Sequence, residues 1–478
     1  MKEAGGPPYW TRRSVLKGLG AAGVLLGAEP LWQFGMGQSS RVPQPGPADW
    51  PRFGYDLQNT RFNAKEKILG VENVGRLKLK WSAVSDGVIQ TTPTVIGDTL
   101  FFGTQSGYEY AIETHTGERK WKLQVDIQKS RPYMRQGVRS SAQYLDGRIY
   151  YGDNMTVVRC VDATTSKVIW QTQMSKDPGD QTRSSPAVYD GKVVIGYSST
   201  KGNAEIVCMD AETGAVIWRF RTAPEGGGGS VWASPGIDEE ERIVYNATGS
   251  VKTFMPPGAM LYTESIVAHD LDSGELLWYY QPRRADPFDF DFNCHPMIFD
   301  ARPPEGYRGN SVRKCVGAGS KAGFFVCDRY TGQPYWKSIL TNPGASGGLM
   351  TDSTAVAYNR VFVISNSFTR KGAMSVTAAL HAYTGDIIWW MPNSVPNIAP
   401  LAVANGVFYQ GLMDGTLEAL DAADGSSLWQ YKLPTPHRGG IAIANGVMYV
   451  GNGDPSAVTE VQAKAKQYSI YAFSIDGN

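Results

Sequence analysis

At 478 residues the chain is long enough, by length alone, for about three domains. Hydrophobic residues make up 42% and charged residues only 19%, which excludes a disordered chain and, with 54 glycines, suits a β-rich body with many turns. A formal net charge of +1 provides no general field for a polyanion, which argues against nucleic acid as a partner of the chain as a whole.

The N-terminus reads as an address. Thr11-Arg12-Arg13-Ser14-Val15-Leu16-Lys17 places paired arginines before an apolar run at residues 18–28. This is the charged region and short apolar region of a twin-arginine export signal, and the run is too short to span a bilayer as an ordinary helix. Gly35-Met36-Gly37 offers a small-x-small cleavage site, with an uncleaved anchor as the alternative. The expectation is a signal peptide over residues 1–37, a proline-rich linker over 38–48 and a folded body over 49–478, exported to the periplasm or secreted.

From Asp49-Trp50 onward one unit recurs. It is an apolar strand, a turn, a second strand ending in small residues, a third strand ending in Asp, then Thr-Gly and a Trp four residues after the Gly. Copies end at Trp121, Trp218, Trp278, Trp336, Trp389 and Trp429, and Trp170 follows a weaker copy in which Ser166 replaces the Gly. The Thr-Gly pair supplies the φ > 0 residue of a tight hairpin, and the Trp packs its outer strand against a neighbouring unit. Successive tryptophans lie 40 to 60 residues apart, the spacing of four-stranded propeller blades.

Closure follows from counting. The last segment has strands but no terminal Trp, whereas Leu77-Lys78-Leu79-Lys80-Trp81 near the start is an orphan outer strand with one. Joining the two leaves no ring edge unpaired and predicts an all-β, eight-bladed propeller, overriding the three-domain prior. Two longer insertions, residues 248–264 and 283–296, predict a site on the face that carries them. The cysteines (Cys160, Cys208, Cys294, Cys315 and Cys327) are odd in number with no CxxC, so no disulfide framework, zinc site or c-type haem attachment is expected. Cys160 and Cys208, each two residues before an Asp in equivalent repeats, read as small buried strand residues.

These repeats, together with the opening stretch Asp49-Trp50-Pro51-Arg52-Phe53-Gly54-Tyr55-Asp56-Leu57-Gln58-Asn59-Thr60-Arg61-Phe62, resemble the tryptophan-docking blades of the dehydrogenases that use pyrroloquinoline quinone (PQQ). The likeness is to the alcohol dehydrogenase family and its polyvinyl-alcohol dehydrogenase branch. The docking repeat alone is also found in non-enzymatic propellers, so function must come from the site. Phe288-Asp289-Phe290-Asp291 is similar to the stretch that carries the family's catalytic aspartate, which implies Asp289 as general base. Gly319-Ser320-Lys321-Ala322-Gly323 resembles the stretch whose basic residue bonds the quinone oxygens, which implies Lys321 as a catalytic and cofactor-binding residue. Trp232 in Gly229-Ser230-Val231-Trp232 matches the aromatic floor of the cofactor site, and Arg139 in Val138-Arg139-Ser140-Ser141 matches an arginine that pairs with a cofactor carboxylate. Taken without the resemblance, each has a plainer role: a loop cap for Asp289, a solvated side chain for Lys321, a core residue for Trp232 and a blade-surface residue for Arg139.

The resemblance further implies Ca²⁺ or a lanthanide beside the quinone, with Asp289 and Asp291 as its ligands here. Where the family holds a Glu and an Asn for the metal, this chain has Ser199 and Ser250, neutral hydroxyls that serve a hard divalent cation poorly; Glu205 is the carboxylate that would have to loop inward. The reading implied is an exported PQQ-dependent oxidoreductase acting on an alcohol or other hydroxylated small molecule and passing electrons to a separate acceptor, with no transmembrane span beyond the signal segment. Two other readings stand beside it: a non-catalytic propeller scaffold that binds a protein or ligand, and a specialised secreted oxidase of a natural product with an altered metal site.

Overall fold

The computed structural model describes residues 42–127, 137–199, 201–223, 228–250, 260–283, 289–309, 311–342, 354–369, 372–453 and 468–478. The twin-arginine segment and its cleavage site lie outside the described residues, as do parts of both long insertions. The described strands form eight antiparallel sheets of four strands, one carrying a fifth, and no described helix is long and apolar enough to cross a membrane.

Numbered in chain order, blade 1 runs from Thr94–Ile96 to Arg119–Gln124 and blade 2 from Gln143–Leu145 to Val168–Gln173. Blade 3 runs from Ala187–Tyr189 to Val216–Arg221, blade 4 from Gly236–Asp238 to Leu276–Tyr280, and blade 5 from Met297–Ala301 to Pro334–Ser338. Blade 6 runs from Thr354–Ala357 to Ile387–Asn393 and blade 7 from Ala402–Ala404 to Ser427–Lys432. Blade 8 joins the two ends of the chain. Its inner three strands, Ile441–Ala444, Val447–Gly451 and Tyr468–Ile475, are completed by Leu77–Ser85, which pairs antiparallel with the last of them.

The sequence repeat has a direct local cause. In blade 3, Asp210 Oδ1 accepts hydrogen bonds from the backbone N–H of Glu212 and Thr213 and from the Thr213 hydroxyl, closing the hairpin. Gly214 then turns the chain at φ +72°, and the indole of Trp170 from blade 2 lies over it. A Cβ at that position would fall 2.5 Å from the ring, so both the backbone angle and the packing demand glycine. The Trp170 indole N–H donates to the Ala211 carbonyl at 2.9 Å. The same bond recurs around the molecule and closes it: Trp81 of blade 8 donates to Thr114 O of blade 1, and Trp429 of blade 7 donates to Leu77 O of blade 8.

Apolar residues fill the spaces between neighbouring blades rather than one central mass. Tyr150, Val158, Cys160 and Trp170 of blade 2, for example, pack on Val193, Ile195, Val207 and Met209 of blade 3. All five cysteines are buried and none forms a disulfide.

The opening stretch has a role that its motif did not reveal. Residues 48–63 run around one end of the ring and pair with the innermost strands. Val95, Tyr144, Ile237, Ile298, Val356 and Val403 donate backbone N–H groups to the carbonyls of Trp50, Pro51, Leu57, Gln58, Thr60 and Arg61. Blade 3 is reached differently, through the Gln143 side chain, which bonds both N–H and C=O of Val188 and is itself held by Arg52. Buried Arg61 ties the segment together through Phe53 O, Leu401 O and Ile441 O and lies over the Phe53 ring. Tyr55, Asn59 and Arg61 all adopt positive φ, a cost that the surrounding bonds hold in place. Innermost strand edges that would otherwise face an axial channel are thereby satisfied, and Phe53 is set into the floor of the space above.

Candidate active site

Adjacent blades are sewn together near the axis by hydroxyls. Thr92 N–H donates to Ser141 Oγ at 2.8 Å, Ser141 N–H to Ser185 Oγ at 2.9 Å, and Ser185 N–H to Ser234 Oγ at 2.9 Å. The residue two positions before each of these points is Gln90, Arg139, Arg183 and Trp232. At the same offset blade 5 has Asn293 and blade 8 has Arg438. These six side chains line a chamber of about 360 Å³ with Phe53 among its walls.

Blades 4 and 5 contribute the acids and the ammonium. Lys321 sits in the tight turn between Arg313–Ser320 and Gly323–Asp328. The stretch that follows Asp289 is pinned against this turn: Ser320 Oγ donates to Phe290 O at 2.7 Å, and Lys321 N–H donates to Asp291 O at 3.1 Å. The Lys321 ammonium then reaches Asp289 Oδ2 at 2.8 Å and Asp291 Oδ2 at 2.9 Å. From blade 4, Ser250 N–H donates to Asp291 Oδ1 at 2.6 Å. Ser250 Oγ lies 2.9 Å from Asp291 Oδ1 and 3.1 Å from Asp289 Oδ1, one hydroxyl proton serving both carboxylates. Gly249 permits this approach, because a Cβ there would stand 2.6 Å from Asp291 Oδ1.

The two carboxylates are not equivalent. Asp291 is 12% exposed and Asp289 54%. Burial and the Asp291 negative charge raise the pKa of Asp289 above the usual carboxylate range. Burial alone would raise that of Asp291 too, but the Lys321 charge and the Ser250 amide outweigh it and hold it low. Burial disfavours the Lys321 ammonium, yet the Asp291 charge and the bonds to both carboxylates keep its pKa above normal. The two carboxyls are thus pushed in opposite directions, Asp289 towards holding a proton and Asp291 towards ionisation beside the Lys321 ammonium. Asp289 also has φ +62°, unfavourable for a residue with a side chain, which marks a position fixed by its surroundings.

The structure brings Asp289, Asp291, Lys321, Arg139 and Trp232 around one chamber. The Arg183 guanidinium lies 4.6 Å from the Trp232 ring, so the indole face is shared with a cation. Ser199 is absent from the chamber lining and accepts the Lys201 N–H, and Glu205 is bound to Tyr197 and Arg219 instead of turning inward. Arg183 and Arg438 were not anticipated, although Arg183-Ser184-Ser185 repeats Arg139-Ser140-Ser141 one blade later and the fixed offset identifies both. Ser250, the hydroxyl that stands where the family holds an Asn, bridges the two acids, a role that only the fold reveals.

The donor set does not fit a resident divalent cation. Each oxygen of Asp289 and Asp291 already meets Lys321 or Ser250, and the ammonium occupies the point between the carboxylates. Among the described residues no group of three or more His, Cys, Asp or Glu side chains is placed to hold a metal.

The chain matches the family described as "Glucose/ethanol/alcohol dehydrogenase, beta-propeller domain" over residues 50–343, well over half its length, and "Outer membrane protein assembly factor BamB" over residues 325–466. It is 26% identical to a polyvinylalcohol dehydrogenase from a Pseudomonas species, covering 78% of this chain and 66% of the relative. It is 30% identical to a quinohemoprotein alcohol dehydrogenase from Comamonas testosteroni over 60% of this chain and 45% of that protein. The chain therefore spans about half to two thirds of the length of these curated relatives. The crystal structure of the Comamonas testosteroni quinohemoprotein alcohol dehydrogenase superposes with a TM-score of 0.80 at 20% identity, covering 90% of this chain and 81% of that one, which establishes the shared fold. With the family matched across most of the ring, the chain belongs to the glucose/ethanol/alcohol dehydrogenase β-propeller family.

Proposed function

We propose that this chain is the catalytic propeller of an exported quinoprotein oxidoreductase that takes a hydroxylated small molecule as substrate and PQQ as cofactor. The observation that carries the reading is the meeting of Asp289, Asp291 and Lys321 at one side of an axial chamber that Arg139 and Trp232 also line. Alcohol-oxidising relatives support the substrate class, and the paired arginines Arg12 and Arg13 support export.

The chamber fits such a cofactor in size and chemistry. About 360 Å³ lies within the usual range of small-molecule sites. Trp232 offers a flat aromatic face, Arg139 a planar fork for a carboxylate, and Lys321 a positive charge beside the acids. These three residues would hold the cofactor. When bound, PQQ supplies a two-electron acceptor for the hydrogen on the carbon that bears the substrate hydroxyl.

The chain's own part is proton handling and placement. Asp289 accepts the hydroxyl proton at Oδ1, where the Ser250 bond is the longer of the two made by that hydroxyl. Burial and the Asp291 charge raise its pKa, which makes it a stronger base than an ordinary carboxylate. Asp291 keeps Lys321 charged and in position, and Lys321 in turn keeps Asp289 aimed from the chamber wall. Residues 48–63 close the chamber behind Phe53, so substrate enters from the opposite end.

The test is reconstitution of the full chain with PQQ, followed by an assay with an artificial electron acceptor over a panel of alcohols that includes polyvinyl alcohol. Turnover that disappears in Asp289→Asn, with quinone still bound, is expected. A chain that binds no quinone, shows no stabilisation by PQQ and oxidises no alcohol overturns the reading in favour of a non-catalytic propeller.

A further inference from the structure

The axial register places three arginines on a continuous arc of the chamber: Arg438 from blade 8, Arg139 from blade 2 and Arg183 from blade 3, with Gln90 of blade 1 between the first two. The acids that line the same chamber, Asp289 and Asp291, lie at blades 4 and 5 and already hold Lys321. The three arginines alone outnumber the two carboxylates in the lining, and they come from blades 8, 2 and 3, away from the blades that carry the acids and Lys321. The resemblance accounts for Arg139 alone.

A guanidinium presents fixed in-plane donors that match a carboxylate in two-point contact, and a row of them suits a planar polyanion better than a single neutral hydroxyl compound. PQQ carries three carboxylates on a rigid flat frame, with its quinone oxygens on another edge. From the separation of the arginine arc from the Asp289–Lys321 pole, we infer that Arg183 and Arg438 are cofactor-binding residues that, with Arg139, take the carboxylates of the quinone. The inference rests on the proposed function for its ligand. The Arg183 guanidinium is already steadied against the chamber wall, held 4.6 Å over the Trp232 indole.

The experiment measures equilibrium binding to the full-length chain, by tryptophan quenching or calorimetry, of PQQ and of its uncharged trimethyl ester. Arg183→Gln and Arg438→Gln should each weaken PQQ by about tenfold or more while leaving the ester within about twofold, the loss expected when a charge-assisted bond is removed. Arg183→Lys and Arg438→Lys, which keep charge but lose the fork, should fall between. Wild-type affinity for PQQ should drop steeply with salt and that of the ester should not. Thermal melts of each unliganded variant report whether the fold is kept. Glutamine variants that bind PQQ as wild type does, or that lose PQQ and ester equally, overturn the inference and leave the proposed function standing. A wild-type chain that binds neither compound overturns both.

Discussion

The outer girdle and the axis of this ring use the repeat in opposite ways. Around the girdle the tryptophans Trp81, Trp121, Trp170, Trp218, Trp278, Trp336, Trp389 and Trp429 all do one job, each donating its indole N–H to a carbonyl of the next blade at 2.9 to 3.2 Å. Near the axis one offset recurs in six of the blades and carries Gln90, Arg139, Arg183, Trp232, Asn293 and Arg438, with Arg alone occurring more than once. The girdle is packed solid, so every blade must present the same shape. The axial positions face an open chamber, where a change of side chain leaves blade packing intact. Stability is thus invested in sameness and chemistry in difference, on the same strands.

Breaking each region separately should produce different failures. The largest effect is expected at the axis: Asp289→Asn should lower kcat by roughly 10²- to 10⁴-fold with PQQ binding and melting temperature nearly unchanged, as steady-state kinetics and a thermal melt would reveal. In the girdle, Trp429→Ala removes the side chain that bonds blade 7 to the N-terminal strand of blade 8. Denaturant titration should show about 3–5 kcal/mol lost, since a large buried ring is deleted where the chain closes on itself.

A finer contrast lies inside the acid pair. Asp289 is active as base only when ionised, so activity should rise with pH through its raised pKa. Asp291→Asn removes the negative charge that helps to raise it and should move the acid limb of the kcat/KM profile to lower pH. A limb that stays in place would assign the raised pKa to burial alone. The smallest expected effect is none. Ca²⁺ or a lanthanide should leave the melting temperature of the unliganded chain unchanged, because Lys321 already holds both carboxylates. A site at a hundredfold excess over its Kd would stabilise by about 2.7 kcal/mol and be plain in the melt.

Much of the architecture was legible in the residues because each blade is a local event. The Asp-x-x-Thr-Gly hairpin and its Trp lie within a dozen residues, so blade number and the completion of blade 8 by Leu77–Ser85 follow from counting. The family likeness picked out Asp289, Lys321, Trp232 and Arg139, and these do share a chamber. Arg438 was not legible because nothing near it in the chain distinguishes it from a surface arginine; its meaning lies in an offset shared with residues hundreds of positions away. Nor was the role of residues 48–63 legible, since their partners are single amides on separate inner strands.

By itself, then, the sequence determined the repeating unit, its number and the way the ring closes, because those depend on contacts between near neighbours in the chain or in the repeat. Tertiary structure alone decided which side chains meet at the centre and what they do there. The ammonium between Asp289 and Asp291 joins loops from blades 4 and 5, and the arginine arc joins blades 8, 2 and 3. Such meetings depend on the three-dimensional sum of small rotations from blade to blade, which sets distances across the axis that no local pattern encodes.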